Sequence, residues 1–153
     1  MPRPARRGRA RAAPFFAACF APSALPSNVR GMPLLWVCLG GAAGSGARYL
    51  LSTWMLARFG PAFPWGTIAV NVIGSFFLGV VVTSASSAAS PISPALRVAL
   101  ATGVLGGFTT YSTFNQDTLR LASEGRLGLA VANVALTVVV CLLSGLAGIA
   151  VVR

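Results

Sequence analysis

From Phe59 to Leu96 the chain carries no charged side chain, and it carries none again from Leu127 to Val152. Only 9% of its residues are charged, where soluble domains carry about 25%. Uncharged runs of this length have one common use. A helix that crosses a bilayer needs about 20 predominantly apolar residues, because its backbone must be satisfied internally where no water is present. The spacing predicts four such helices, at roughly 33–57, 65–84, 95–123 and 126–152, joined by short loops. The chain therefore reads as an all-α membrane protein with the lipid bilayer as its solvent.

The third of these helices is not a plain one. Residues 103–118 read Gly-Val-Leu-Gly-Gly-Phe-Thr-Thr-Tyr-Ser-Thr-Phe-Asn-Gln-Asp-Thr. Gly103, Gly106 and Gly107 are followed by five hydroxyl side chains in a row, Thr109 to Thr113. The adjacent glycines weaken a helix, and the hydroxyls can bond the backbone groups that a break releases. A break is tolerated inside a membrane only where protein or a water-filled cavity covers it. The stretch predicts a third helix interrupted near Gly106–Thr110, lining something polar, with an ion path as the foremost reading. Asp117 and Arg120, three apart on its second half, are placed to pair.

The other helices each carry a small polar set. Helix 1 contains Gly40, Gly41, Gly44, Ser45, Gly46 and Ala47, spacing that lets backbones approach closely in lipid. Its glycines echo a phosphate loop, but no strand precedes them. Arg48 lies deep in this helix. An arginine at that depth costs roughly 2.5–3.5 kcal/mol on insertion scales unless it faces protein, water or an anion, or snorkels to the interface. In helix 2, Asn71 and Ser75 share a face, with Asn71 readable as interhelical glue or as a donor to a ligand. Phe63 and Trp65 suit an interfacial belt. In helix 4, Asn133, Thr137 and Cys141, with Ser144 nearby, form a polar stripe that packing alone can explain.

Several chemistries are excluded. The chain has no histidine and only two acids, which removes metal hydrolysis and Ser-His-Asp catalysis; no enzyme is expected. The three cysteines, Cys19, Cys38 and Cys141, are odd in number and form no CxxC, so Cys38 and Cys141 read as small apolar packers. All twelve basic residues are arginines, and six of them precede Gly31. The remaining six against two acids leave 6 − 2 = +4 for the membrane body, so the formal +10 belongs mostly to the tail. With no lysine, nucleic-acid binding is not favoured. Residues 1–32 read as a disordered Arg-, Ala- and Pro-rich extension, with Met32 a candidate start, ahead of a channel domain at 33–153.

Gly106-Gly107-Phe108-Thr109-Thr110-Tyr111-Ser112-Thr113-Phe114 closely resembles the signature of the CrcB/Fluc fluoride channels. Gly44-Ser45-Gly46-Ala47-Arg48-Tyr49 resembles that family's first-helix motif, and Gly66-Thr67 with Asn71, Gly74-Ser75-Phe76 and Gly79 its second. The match runs over about residues 33–152. The resemblance implies four transmembrane helices in an antiparallel, dual-topology dimer with two pores, conducting fluoride passively out of the cytoplasm. It assigns Asn71, Ser75, Ser112, Thr137, Tyr111, Phe114 and Arg48 to the fluoride pore. It also assigns the backbone carbonyls of Gly106 and Thr109 to a structural Na⁺ at the dimer centre. Tyr111 stands where most relatives have Phe, and Asn133 where many have Tyr. The partner is expected to be a second copy, or a paralogue as in some relatives, in the inner (plasma) membrane.

Orientation is consistent with insertion both ways. Arg30, Arg97 and Arg153 fall on one side and Arg58, Arg120 and Arg126 on the other, so the positive-inside bias is nearly nil unless the arginines of the tail count. Two rival readings stay open. A small multidrug exporter needs a titratable carboxylate in the membrane, and the first two helices have none. A non-transporting membrane subunit does not need the hydroxyl and aromatic run.

Overall fold

A computed structural model describes residues 31–85 and 92–153; the expectation of a disordered tail over residues 1–32 falls outside that range except at Gly31 and Met32, which open the first helix. Among the described residues every regular element is helical. The elements are α1 (Gly31–Phe59), α2 (Trp65–Ser84), α3 (Pro94–Val98), a π-helical segment (Ala99–Leu105), α4 (Gly106–Phe108), α5 (Tyr111–Ser123) and α6 (Leu127–Val152). Residues 94–123 together make the third member of the bundle. Three helices, α1, α2 and α6, are long and apolar enough to cross a membrane by length and composition. The third member reaches the same length only in two pieces.

Local chemistry sets the ends. Gly60 has φ +75°, and its N–H donates to Leu56 O at 2.9 Å, closing α1 with the left-handed cap that glycine adopts without a Cβ penalty. Ser93 caps α3 by accepting from the Leu96 N–H at 3.2 Å, with Pro94 in the first turn. α5 ends in a Schellman motif: the Arg126 N–H reaches Leu121 O, and the N–H of Gly125, at φ +74°, reaches Ala122 O. Beyond it Glu124 accepts from Arg120 at 2.9 Å and Arg126 at 3.4 Å. Arg120, then Arg126, hold the Glu124 carboxyl below the usual carboxylate range. This corrects the expected Asp117–Arg120 pair. Arg120 points down the helix to the residue four on, and Asp117 instead accepts the Thr67 hydroxyl at 2.7 Å.

The bundle is joined backbone to backbone. α1 packs on the π segment, α2 and α4, while α2 packs most extensively on α6. A Cβ on Gly44 would collide with Val104 O and lie 2.9 Å from Phe108 N. One on Gly107 would lie 2.6 Å from Gly41 O, and one on Gly79 2.5 Å from Gly145 O. The small-residue spacing of helix 1 is thus used within one chain, to bring α1 against the third member. The π turn falls on this contact, where a Cβ on Gly103 would lie 3.1 Å from Val37 O. The sequence of Ala99–Leu105 does not announce it.

Little is enclosed. Val70, Leu121 and Ala130 are the buried apolar residues among those described, while Leu50, Trp54, Val131 and Leu142 lie on the outside. Only 6% of the most apolar window of α1 and 11% of that of α6 is buried. A surface of this kind is stable only against lipid or another apolar surface.

Because backbone atoms oppose Gly44, a methyl there cannot be accommodated by a rotamer change. Gly44→Ala is expected to destabilise the protein by about 1–3 kcal/mol, read as a lowered Tm in detergent. Gly128→Ala, whose Cβ meets nothing within 4 Å, should leave Tm unchanged or slightly raised.

Candidate functional site

The third member breaks at Thr109 and Thr110, whose ψ values of 161° and 122° are extended. The glycines just before it are not the cause. Gly106 is helical, at φ −65° and ψ −35°, and Gly107 is used for close contact with α1. The break is made by hydrogen bonds that replace the helix ladder. Asn71 Oδ1 accepts the Thr110 N–H at 2.8 Å, and Asn71 Nδ2 donates to Thr110 O at 3.0 Å. One side-chain amide thus pairs with both backbone groups of one residue, as a neighbouring strand would. The Thr110 hydroxyl caps α5 by accepting the Thr113 N–H at 3.2 Å, and the Thr109 hydroxyl donates to Leu105 O at 3.0 Å. Thr110 itself is buried.

Diverting the Thr110 N–H has a consequence upstream. In an unbroken helix that amide would close on Gly106 O, four residues back. Here it goes to Asn71, so the Gly106 carbonyl leaves the ladder. The Thr109 carbonyl also lies outside it and meets Arg48 Nη1 at 3.5 Å, a contact at the long limit of a hydrogen bond. Among the described residues no three His, Cys, Asp or Glu side chains come together. A cation held here would therefore take neutral backbone oxygens, a donor set suited to a hard ion such as Na⁺. Gly106 and Thr109 fit that description.

On the α2–α6 side of the break lies a cavity of about 500 Å³. It brings together seven of the nine residues singled out in the sequence: Asn71, Ser75, Gly106, Thr109, Tyr111, Phe114 and Thr137. The rings of Tyr111 and Phe114 are 5.7 Å apart and tilted by 51°. Tyr111 is 78% exposed, so its ring stands at the rim. Asn71 keeps one amide hydrogen beyond the bond to Thr110. The cavity wall therefore offers N–H and O–H donors beside aromatic rings whose edges carry positive charge.

Two of the nine stand apart. Ser112 is exposed, 3.3 Å from the Thr110 hydroxyl, and does not line the cavity. Arg48 lies across the break, on the α1 side. The stripe on α6 also divides. Thr137 and Cys141 line the cavity. Asn133 is fully buried and donates to the Thr118 hydroxyl at 2.8 Å, while Ser144 donates to Val72 O at 2.7 Å. Thr110 was legible only as one hydroxyl among five. Its role as helix cap and clamp partner depends on Asn71, 39 residues away. A second cavity, about 400 Å³, lies where α1 meets α2, with Thr67, Thr113, Asp117 and Arg120 in its wall.

The family described as CrcB-like protein, camphor resistance (CrcB), matches residues 35–149. The chain belongs to the CrcB family. Among similar CrcB proteins, one from Sorangium cellulosum (strain So ce56) is 55% identical over 118 residues, 77% of this chain and 92% of its own. One from Anaeromyxobacter sp. (strain K) is 56% identical over 120 residues, 78% of this chain and 94% of its own. One from Geotalea uraniireducens (strain Rf4) is 43% identical over 120 residues, 78% and 96% respectively. Each of these three is named a fluoride-specific ion channel, FluC.

The clamp predicts a structural phenotype that does not depend on transport. Asn71→Ala leaves the Thr110 N–H and C=O unpaired in a buried site, at about 1–3 kcal/mol for each unmet group. The Thr110 amide should exchange with deuterium faster in the variant, and Tm should fall.

Proposed function

We propose that the protein is a fluoride-specific ion channel that lets fluoride leave the cytoplasm passively and so lowers its toxicity. The carrying observation is the cavity at the helix break, where Asn71 and Ser75 bring an N–H and an O–H, with Thr137 in the wall, beside the Tyr111 and Phe114 rings, in a chain 55–56% identical to proteins named for that activity. Fluoride is small and holds its water tightly. A pore must replace that water with N–H and O–H groups and ring edges, yet bind weakly enough to release the ion. A negative-inside potential drives the anion outward by about 2.3 kcal/mol per 100 mV. No coupled reaction is required and none is catalysed.

The finer reading is an antiparallel, dual-topology homodimer in the inner membrane, with two pores and one Na⁺ held at its centre by the Gly106 and Thr109 carbonyls of both copies. The outward apolar faces support a second copy, as does the exposure of Tyr111 and Gly106 beside the break. The freed carbonyls support the cation. When bound, the ion supplies fixed positive charge at the break. Asn71 holds the Gly106 carbonyl out of the ladder by taking the Thr110 N–H, the Thr110 hydroxyl does the same for the Thr109 carbonyl by taking the Thr113 N–H, and Ser45, donating to Gly107 O at 3.4 Å, steadies the turn before them.

Fluoride efflux from liposomes holding the purified protein alone, with chloride as control, tests the reading. Fast fluoride efflux and negligible chloride efflux are expected, with at least about a tenfold loss in Asn71→Ala, or about 1.4 kcal/mol. Tyr111→Phe keeps the ring edge and should conduct at least as well as the wild type. If the wild type and Tyr111→Phe are both silent when made alone, the homomeric channel is overturned.

A further inference from the structure

Arg48 lies three residues past the midpoint of α1, about 4–5 Å along the axis at 1.5 Å per residue, and no carboxylate is left for it. The whole chain has two acids. Asp117 accepts the Thr67 hydroxyl, and Glu124 is taken by Arg120 and Arg126. Burying a guanidinium at this depth without a counter-charge is unfavourable. The group it does meet is the Thr109 carbonyl, at 3.5 Å. That oxygen sits just past the C-terminal end of the helical run from Pro94 to Phe108, where aligned peptide dipoles concentrate partial negative charge. It is also one of the two carbonyls that the break releases. A carbonyl oxygen has two lone pairs. One faces a fixed cation built into the chain, and a mobile cation would take the other.

We propose that Arg48 is a positioning residue for the cation site. Its guanidinium holds the Thr109 carbonyl from the α1 side and repels a sodium ion on the same oxygen. It thereby lowers the sodium affinity of the Gly106–Thr109 pair and keeps the break assembled when sodium is scarce. The proposal rests on the sodium site of the preceding section and adds what sets its affinity. An arginine in this place serves as a standing substitute for part of the ion's charge, so the site does not collapse between binding events.

The test is thermal unfolding of the purified full-length protein in detergent across a sodium titration, with N-methyl-D-glucamine holding ionic strength constant. Arg48→Gln removes the charge and keeps an N–H donor. It should half-saturate at about tenfold lower sodium than the wild type, and its Tm without sodium should fall further below the sodium-saturated value. Arg48→Lys keeps a charge on a shorter reach and should half-saturate within about twofold of the wild type. A half-saturation for Arg48→Gln equal to or above the wild-type value overturns the proposal and leaves the sodium site standing. A wild-type Tm indifferent to sodium overturns the site and the proposal together, whatever the fluoride flux. Should Arg48→Gln not fold, the side-chain ¹⁵N resonance of Arg48, assigned by its loss in Arg48→Lys, reads the same competition in the wild type. Movement in step with the sodium-dependent Tm supports the proposal, and a resonance that stays fixed across that titration overturns it.

Discussion

The pairing of one side-chain amide with one backbone residue, Asn71 with Thr110, is the interaction on which the site depends. Inside a bilayer an unpaired N–H or C=O costs several kcal/mol, so a helix can open only where something replaces its ladder. Asn71 replaces it on both sides of Thr110 at once. The Thr110 hydroxyl then starts α5 by taking the Thr113 N–H. Among the described residues, no buried side-chain polar atom is left without a partner. A costly break becomes a stable corner because both backbone groups of Thr110 are matched at once, while the Gly106 carbonyl is released.

The corner also requires the chain to be held close from behind. Gly40 and Gly44 of α1 approach the backbone between Ala99 and Phe108, and Gly107 meets Gly41. In lipid there is little hydrophobic drive between helices, so association rests on packing and hydrogen bonds between close backbones. The glycine contacts supply that packing on one side of the third member. On the other side Gly74 lies against the Thr109 methyl. The π turn and the extended pair are thus wedged between α1 and α2. Cavity, aromatic pair and freed carbonyls are arranged by this wedge and not by the local preference of residues 99–110.

Charge follows the same logic. Seven charged residues are found among those described before the C-terminal arginine, and three of them, Arg120, Glu124 and Arg126, cluster with exposed side chains at the α5–α6 turn. Asp117 accepts a hydrogen bond from the Thr67 hydroxyl. Arg48 alone is left deep in a span, against a carbonyl at a helix end. A charge in a low-dielectric setting has to find a partner among the nearest dipoles, and the break provides one.

Much of this was legible in the sequence. The uncharged runs imply spanning helices because water is absent from the bilayer core, and the Gly-Gly-Phe-Thr-Thr run implies a break because hydroxyls can serve freed backbone groups. Asn71, Ser75, Tyr111, Phe114 and Thr137 could be named from residue type and motif. Their meeting around one cavity could not, since Asn71 and Thr110 are 39 residues apart and Thr137 is on a third element. Helical periodicity says which residues share a face, not which face another helix will cover. The Asp117–Arg120 expectation failed for that reason: both lie on α5 at pairing distance, but Thr67 of α2 and Glu124 one turn on offered nearer partners. The sequence by itself determined that the chain is helical, lies in a membrane and carries a polar interruption, because those follow from local composition against the cost of unsatisfied backbone. Only the tertiary structure decided which residues of that stretch open, which carbonyls the opening frees and what faces them, because those depend on contacts between distant residues.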